Sequence, residues 1–527
     1  MKVGGMSNRF SRRDVIRMGI SGLGGLALGC SVRNTGVHAQ ESLPENPERP
    51  TNVLFINTDQ QRFDALSCAG NAFVSTPNLD RLAREGVRFT SAVTPLPMCI
   101  PARASFHTGL STCTTRCVST VNDKDMQFGS GSFDHNLAET GYHTEYHGRW
   151  HAPTELADCY ENQVSLDFRA PYRKYLKETL GDPPEPELGQ YVSFLSGWPY
   201  TPDPLDAKYA NLWPGKQNYQ EVIGFGKCSL SLEHTYSAFV ANQTIDALKR
   251  LRATPFSISV GFLAPHHPWY IPEPFWGSID RDRIPLPPTM DDDRKNTPYE
   301  SFPWEAPGAY REHMRLYHAR YYELLQEADY HIGRILKALD DLDLAKNTLV
   351  IFTADHGEML GDHGLIQKFV PYQGSIRIPM IMRLPGKIPA GRVADEPVNS
   401  IDIFPTIFDY LGIRCPRQEG KSLRPLVEGH AGGWNEYTFS EWGWETWIAS
   451  TTFVSRDWKY VWTRRADMMD VLFDLRNDPD ETTNLLGKNP DRADYVPKAQ
   501  EIRAEMLAWM ETINHPFREA LAKSETG

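Results

Sequence analysis

The sequence predicts an α/β fold: a large, mostly parallel central sheet flanked by helices, with a smaller C-terminal antiparallel-sheet subdomain. Three observations predict it. Short, continuous apolar runs recur between residues 50 and 420, the pattern of strands buried on both faces of a parallel sheet. Amphipathic helical stretches separate those runs. From about residue 421 the texture changes to aromatic, strand-like segments and a last helical stretch. With 527 residues, 40% hydrophobic and 23% charged, the chain is long enough for one large α/β domain carrying such an appendage.

The chain opens with a leader, residues 1–39. Paired Arg12-Arg13 precede a Gly-rich, mildly apolar run from Met18 to Leu28, well short of a membrane span. This resembles a twin-arginine export signal, so the expectation is a periplasmic or secreted protein handled by the twin-arginine machinery. Cleavage after Ala39 in "VHA" is the favoured reading, and a lipid anchor at Cys30 is the alternative. The chain's net charge is −12; the leader holds +5, which leaves −17 on the remainder. Such a body offers no footprint for nucleic acid, and an anionic substrate would need a local cationic pocket.

The main domain is expected over residues 50–420. "NVLFINTD" reads as a strand ending at Asp59, and "NLDRLAREG" as the helix after it. In "CIPARASFHTGL", Pro101 suits the first helical position and places Cys99 at a helix N-terminus. "GYHTEYHGRWH" is strand-like up to Gly148, then offers Arg149 and His151. Residues 155–235, less periodic and rich in Pro, Tyr and Trp, read as an insertion walling a site. "PFSISVGFLAPHHP" is a strand that breaks beside His266 and His267, and "NTLVIFTADHGE" ends in Asp355 and His356. Between them "HARYYELLQEADYHIGRILKALDDL" is helical. Residues 421–527 form the C-terminal α+β subdomain, with strands in "YTFSEWGWETWIASTTFVSRDWKYVW" and a helix in "VPKAQEIRAEMLAWMETINH". Beyond Cys30 and Cys99, six scattered cysteines fit neither a disulfide framework nor a zinc site; Cys113 and Cys117 could pair, but isolated thiols are favoured.

In open α/β sheets, ligands bind outside the carboxyl ends of the strands. Four apolar runs here deliver Asp, His, Arg or Asp-His to that one edge, which argues for an enzyme. Cys99 adds a fifth element. Helix N–H groups and the macrodipole favour an anion beside it, and Arg103, one turn on, can reach the same point. A bound anionic ester and a bare thiolate both satisfy this local picture.

"CIPAR" followed by "TG" resembles the C-x-P-[SA]-R-x-x-x-x-T-G signature of the formylglycine-dependent sulfatases, within the alkaline phosphatase superfamily. "NVLFINTDQQ", "HGRWH", "FLAPHHP", "FTADHGEMLGDHGLIQK" and "VNSIDIFPTI" follow that family's order across residues 52 to 407. The resemblance implies hydrolysis of a sulfate monoester, of a sugar or polysaccharide in first place, to an alcohol and inorganic sulfate. It implies that a formylglycine-generating maturation enzyme oxidises Cys99 to formylglycine, which serves as nucleophile and metal ligand. Asp59, Asp355 and His356 are implied metal ligands, with Gln60 a fourth candidate. Calcium is the first choice, with manganese or magnesium next. Arg103 is implied to hold the nucleophile, Arg149 to contact sulfate oxygens where relatives carry lysine, and His151 to act as base. His266 and Lys368 are implied to serve the leaving alcohol. His267 is a further substrate-binding candidate beside His266.

The departures keep alternatives open. Asp59-Gln60 and Asp355-His356 stand where many relatives have Asp-Asp and Asp-Asn, and "DHGEMLGDHGL" resembles the branch with choline sulfatases and phosphonate monoester hydrolases. The rival readings are a phosphonate or phosphate ester hydrolase, a choline or aryl sulfatase, and a non-catalytic sulfated-glycan-binding relative. His107 has no assigned role, and His363 is expected to order its loop by a hydrogen bond. Trp442, Trp444 and Trp447 suit core packing of the small sheet ahead of sugar stacking.

Overall fold

The computed structural model describes residues 51–525 apart from 120–124, 163, 166, 188–189, 194, 203–224, 301–312, 431, 435, 444–448 and 466–467. The expected leader with Cys30, part of the expected walling insertion, Trp444 and Trp447 lie outside the described residues.

Seven strands form the central sheet: β1 (Asn52–Asp59), β2 (Val87–Phe89), β3 (His143–Gly148), β4 (Phe256–Pro265), β5 (Thr348–Ala354), β6 (Met380–Arg383) and β7 (Arg392–Ala394). Their spatial order is β7-β2-β6-β5-β1-β4-β3. Every neighbouring pair is parallel except the two made by β6, which runs against both β5 and β2. The sheet is therefore mixed and mostly parallel, as its apolar runs predict. All residues of β1, β4 and β5 are buried, which is why these strands read as continuous rather than alternating patterns.

Helices cover both faces: α1 (Pro77–Arg84), α2 (Cys99–Thr108), α3 (Tyr236–Arg250), α4 (Met314–Asp341) and α5 (Ile403–Leu411). Period-2 alternation along β1 divides the core between them. Leu54 and Ile56 pack with Leu79, Val240 and Ile332 of α1, α3 and α4. Val53 and Phe55 pack with Phe106 and Ile407 of α2 and α5. Each such fully buried side chain contributes about 1.5–3 kcal/mol through water exclusion.

The C-terminal sheet is an antiparallel meander of β8 (Tyr437–Trp442), β9 (Ser450–Ser455), β10 (Trp458–Thr463) and β11 (Val471–Asp474). One face, through Tyr460, Trp462 and Leu472, packs on Ile502, Met506 and Met510 of α6 (Arg492–Thr512). The other face, through Trp442, Val461 and Phe473, packs under Met359, Leu365, Val370 and Tyr372 of the loop that follows β5. Trp442 is thus a core residue, in contact with Phe369. All seven cysteines among the described residues are free thiols, Cys113 and Cys117 included. Among those residues, no helix is long and apolar enough to cross a membrane.

Candidate active site

Strand register sets the geometry of the site. Thr58 lies opposite Ala354, so Asp59 and Asp355 leave the sheet side by side. Gly148 lies opposite Gly261 one strand over, and β4 ends at Pro265 opposite Asp59. The chain ends carrying Asp59, Arg149, His266 and Asp355 therefore share one edge. Gly148 has φ +94, and a Cβ there would meet the Gly261 carbonyl oxygen at 2.2 Å. Only glycine lets the chain turn so closely over β4 and bring Arg149 inward.

Helix α2 carries Cys99 to this edge. It begins two residues before the expected start: Cys99 is its first residue and Pro101 its third, with Met98 as N-cap. The first intrahelical bond runs from Ala102 N–H to Met98 O at 3.0 Å. Pro101 therefore occupies a position whose N–H has no partner within the helix, which is why it is tolerated there.

Arg103, fully buried one turn later, ties the strand ends together. Its Nε donates to Asp355 Oδ2 at 2.9 Å, its Nη2 to Asp59 Oδ2 at 3.1 Å and its Nη1 to the Arg149 carbonyl at 3.1 Å. Arg149 adds a second cation at 2.8 Å from Asp59 Oδ2. Burial pushes the Asp59 carboxyl up, but Arg149, His266, Arg103 and Lys368 together hold it well below the usual carboxylate range.

The remaining atoms converge on residue 99. Cys99 Sγ lies 3.1 Å from His356 Nε2, 3.6 Å from Asp59 Oδ1 and 3.6 Å from Lys368 Nζ. His356 Nδ1 faces the Gly357 carbonyl at 2.9 Å, so its proton sits on Nδ1 and the Nε2 lone pair points at the cluster. Ligand atoms of Asp59, Cys99, Asp355 and His356 all lie within 4.8 Å of one another, and all four residues are buried. Two buried carboxylates and a correctly oriented imidazole lone pair suit a divalent cation.

The protein groups around Cys99 by themselves disfavour its thiolate. Burial and then the Asp59 carboxylate push Cys99 up to about 12, with Lys368 the main opposing charge.

Other expected residues surround this centre. His151 adopts φ 42, and its Nδ1 accepts from Arg149 Nη2 at 2.8 Å. Burial, then Arg149, push its pKa well below the ordinary histidine value, so it is neutral. His266 Nε2 is 3.9 Å from Asp59 Oδ1, and its ring stacks on His267 at 4.2 Å. His267 is buried and meets Gln367 Nε2 at 3.4 Å, one step from the centre. Lys368 Nζ donates to Gln60 Oε1 at 2.6 Å.

The family is decided at this point by comparison with known proteins. Residues 51–413 match the family model described as Sulfatase, and residues 361–510 match that described as N-sulphoglucosamine sulphohydrolase, C-terminal. The chain belongs to the sulfatase family. It is 29% identical over 462 residues to an arylsulfatase of Clostridium perfringens, covering 85% of this chain and 93% of that one. It is 26% identical over 510 residues to an N-acetylglucosamine-6-O-sulfatase of Bacteroides thetaiotaomicron, covering 87% and 86% of the two chains. In fold it resembles the phosphonate monoester hydrolase SpPMH from Silicibacter pomeroyi, with TM-score 0.73 at 24% identity, over 88% of this chain and 96% of that one.

Sequence reasoning about this sulfatase missed two residues that touch the site, Glu358 and Gln367. Both lie inside the quoted "FTADHGEMLGDHGLIQK" stretch, where an acid two residues beyond the Asp-His pair was the available signal. His363 orders the same loop as expected, with Nδ1 2.6 Å from Asp292 Oδ2 and its ring stacked on Tyr372. His107 lies in an aromatic box with Phe55, Phe106, Phe133 and Trp150. Burial, then Arg103, push it down to about 3, so it packs as a neutral ring behind α2.

Proposed function

We propose that this sulfatase hydrolyses a sulfate monoester of a sugar or polysaccharide, using a formylglycine made from Cys99. The observation that carries the proposal is the placement of Cys99: a buried side chain at the meeting point of the metal-type cluster, Lys368 and a helix N-terminus. A hard divalent cation beside Asp59 and Asp355 favours an oxygen on residue 99 over a sulfur. Conversion to formylglycine supplies such an oxygen in its hydrate.

Asp59, Asp355, His356 and an oxygen on residue 99 would hold a divalent metal, calcium first and manganese or magnesium next. The bound cation would polarise the ester oxygens. Arg149 is the side chain placed to turn from Asp59 toward sulfate oxygens. That turn releases His151 Nδ1, which then takes a proton from the group at residue 99. His266 and Lys368 would serve the departing alcohol, where an N–H donor offsets its developing charge.

The N-acetylglucosamine-6-O-sulfatase relative supports a sugar ester. Export of the protein by the twin-arginine pathway and maturation by a formylglycine-generating enzyme complete the reading. A second reading, phosphonate monoester hydrolysis, is favoured by the fold likeness to SpPMH. A substrate panel decides between them. Sulfated monosaccharides and 4-nitrophenyl sulfate should turn over with higher kcat/KM than 4-nitrophenyl phenylphosphonate, and the reverse order would overturn the sulfate reading.

A further inference from the structure

Glu358 is a fully buried carboxylate beside the site with no role in the chemistry above. Its Oε1 accepts backbone N–H groups from Leu360, at 3.2 Å, and from Gln367, while its Oε2 accepts from Gln60 Nε2. The other end of that carboxamide, Oε1, accepts from Lys368 Nζ at 2.6 Å. The amide orientation follows from its neighbours. Reversed, it would set an NH2 against an ammonium and a carbonyl against a carboxylate. Gln60 itself is held in place. Its φ is 64, its N–H donates to Asp355 Oδ1 at 3.0 Å, and its carbonyl accepts from Tyr321 Oη at 2.7 Å.

We propose that Glu358 is a positioning residue for leaving-group departure, acting through the Gln60 carboxamide to fix the Lys368 ammonium beside residue 99. Gln60 is then a bridge, and the metal ligands are Asp59, Asp355, His356 and residue 99. A lysine on four rotatable carbons has many places to put its charge. The chain Glu358–Gln60–Lys368 selects the one 3.6 Å from Cys99 Sγ.

The inference rests on the reading of Lys368 as the leaving-group residue, and it is tested by leaving-group dependence. kcat/KM is measured for wild type, Glu358→Gln, Gln60→Met, Lys368→Ala and the Glu358→Gln/Lys368→Ala pair, on aryl sulfates from 4-nitrophenyl to phenyl. Metal content is measured on each protein by elemental analysis. Glu358→Gln and Gln60→Met should each lose at least about 10-fold more on phenyl than on 4-nitrophenyl sulfate, within the range general acid catalysis supplies. Their metal content should equal that of wild type, and the pair should be no steeper than Lys368→Ala alone. An equal loss on every ester would make Glu358 merely structural and overturn the proposal. So would loss of metal from Gln60→Met, which would make Gln60 a ligand. If wild type cleaves the matching aryl phosphonates and not the sulfates, the sulfate reading fails. The same slopes, read on the phosphonates, still decide the bridge.

Discussion

Single residues here are set by charge partners drawn from distant parts of the chain. Arg103 illustrates it: one guanidinium joins Asp59 and Asp355, residues almost three hundred positions apart in the chain, and Arg149 adds a second contact to Asp59. Glu441 does the same outside the site. It is 3% exposed and accepts from Thr112 Oγ1 at 2.6 Å, His515 Nε2 at 2.8 Å and Arg464 Nη2 at 3.1 Å. Burial pushes it up, but His515, Arg464 and Thr112 prevail and hold it down at about 2. Because the folded value lies below the ordinary glutamate value, the stabilisation is full above about pH 4.5 and is lost as pH falls toward about 2. Glu441→Gln should therefore lower stability near neutral pH by about 3 kcal/mol, measured by denaturant midpoints, and the gap from wild type should close between those two pH values. A gap independent of pH would contradict the charge assignment.

Elements contribute position rather than chemistry. The close approach of β3 to β4 at Gly148 is what carries Arg149 to Asp59. Gly148→Ala combines a left-handed φ with a Cβ 2.2 Å from a carbonyl oxygen, whereas Gly141→Ala, at φ +93, meets nothing within 4 Å. Both variants should lose stability, by roughly the 1–3 kcal/mol that such backbone strain costs, and melt at a lower Tm. Only Gly148→Ala should also lower kcat/KM by about 10-fold or more through misplacement of Arg149. Equal kinetics in the two variants would remove Gly148 from the account.

The same elements explain what could be read in the sequence. β1, β4 and β5 were legible because strands buried on both faces are continuous apolar runs, and each ends at or one residue before a side chain with its own chemistry, Asp59, His266 and Asp355. The reversed direction of β6 was not, since "MIMR" is apolar whichever way the strand runs, and direction is set by the connection. The start of α2 was misplaced because proline is accepted anywhere among the first unpaired N–H positions. The Asp59, Asp355, His356 and Cys99 cluster could be named from motifs, but Glu358 could not be assigned. Its partner Gln60 is 298 residues away, and only the fold makes them neighbours.

At the scale of the whole molecule, a chain of net charge −12 gathers Arg103, Arg149 and Lys368 at one sheet edge. The two buried carboxylates there hold Arg103 and Arg149, and the small C-terminal sheet packs beneath the loop that delivers Lys368. All of this surrounds Cys99, and the chemistry depends on what residue 99 becomes. The direct measurement is peptide mass spectrometry across residues 95–110 of protein produced with a formylglycine-generating enzyme, paired with sulfate-ester turnover of the same sample. The account predicts the aldehyde or its hydrate at position 99, in a fraction that tracks specific activity. An unmodified Cys99 thiol throughout a fully active preparation would contradict it.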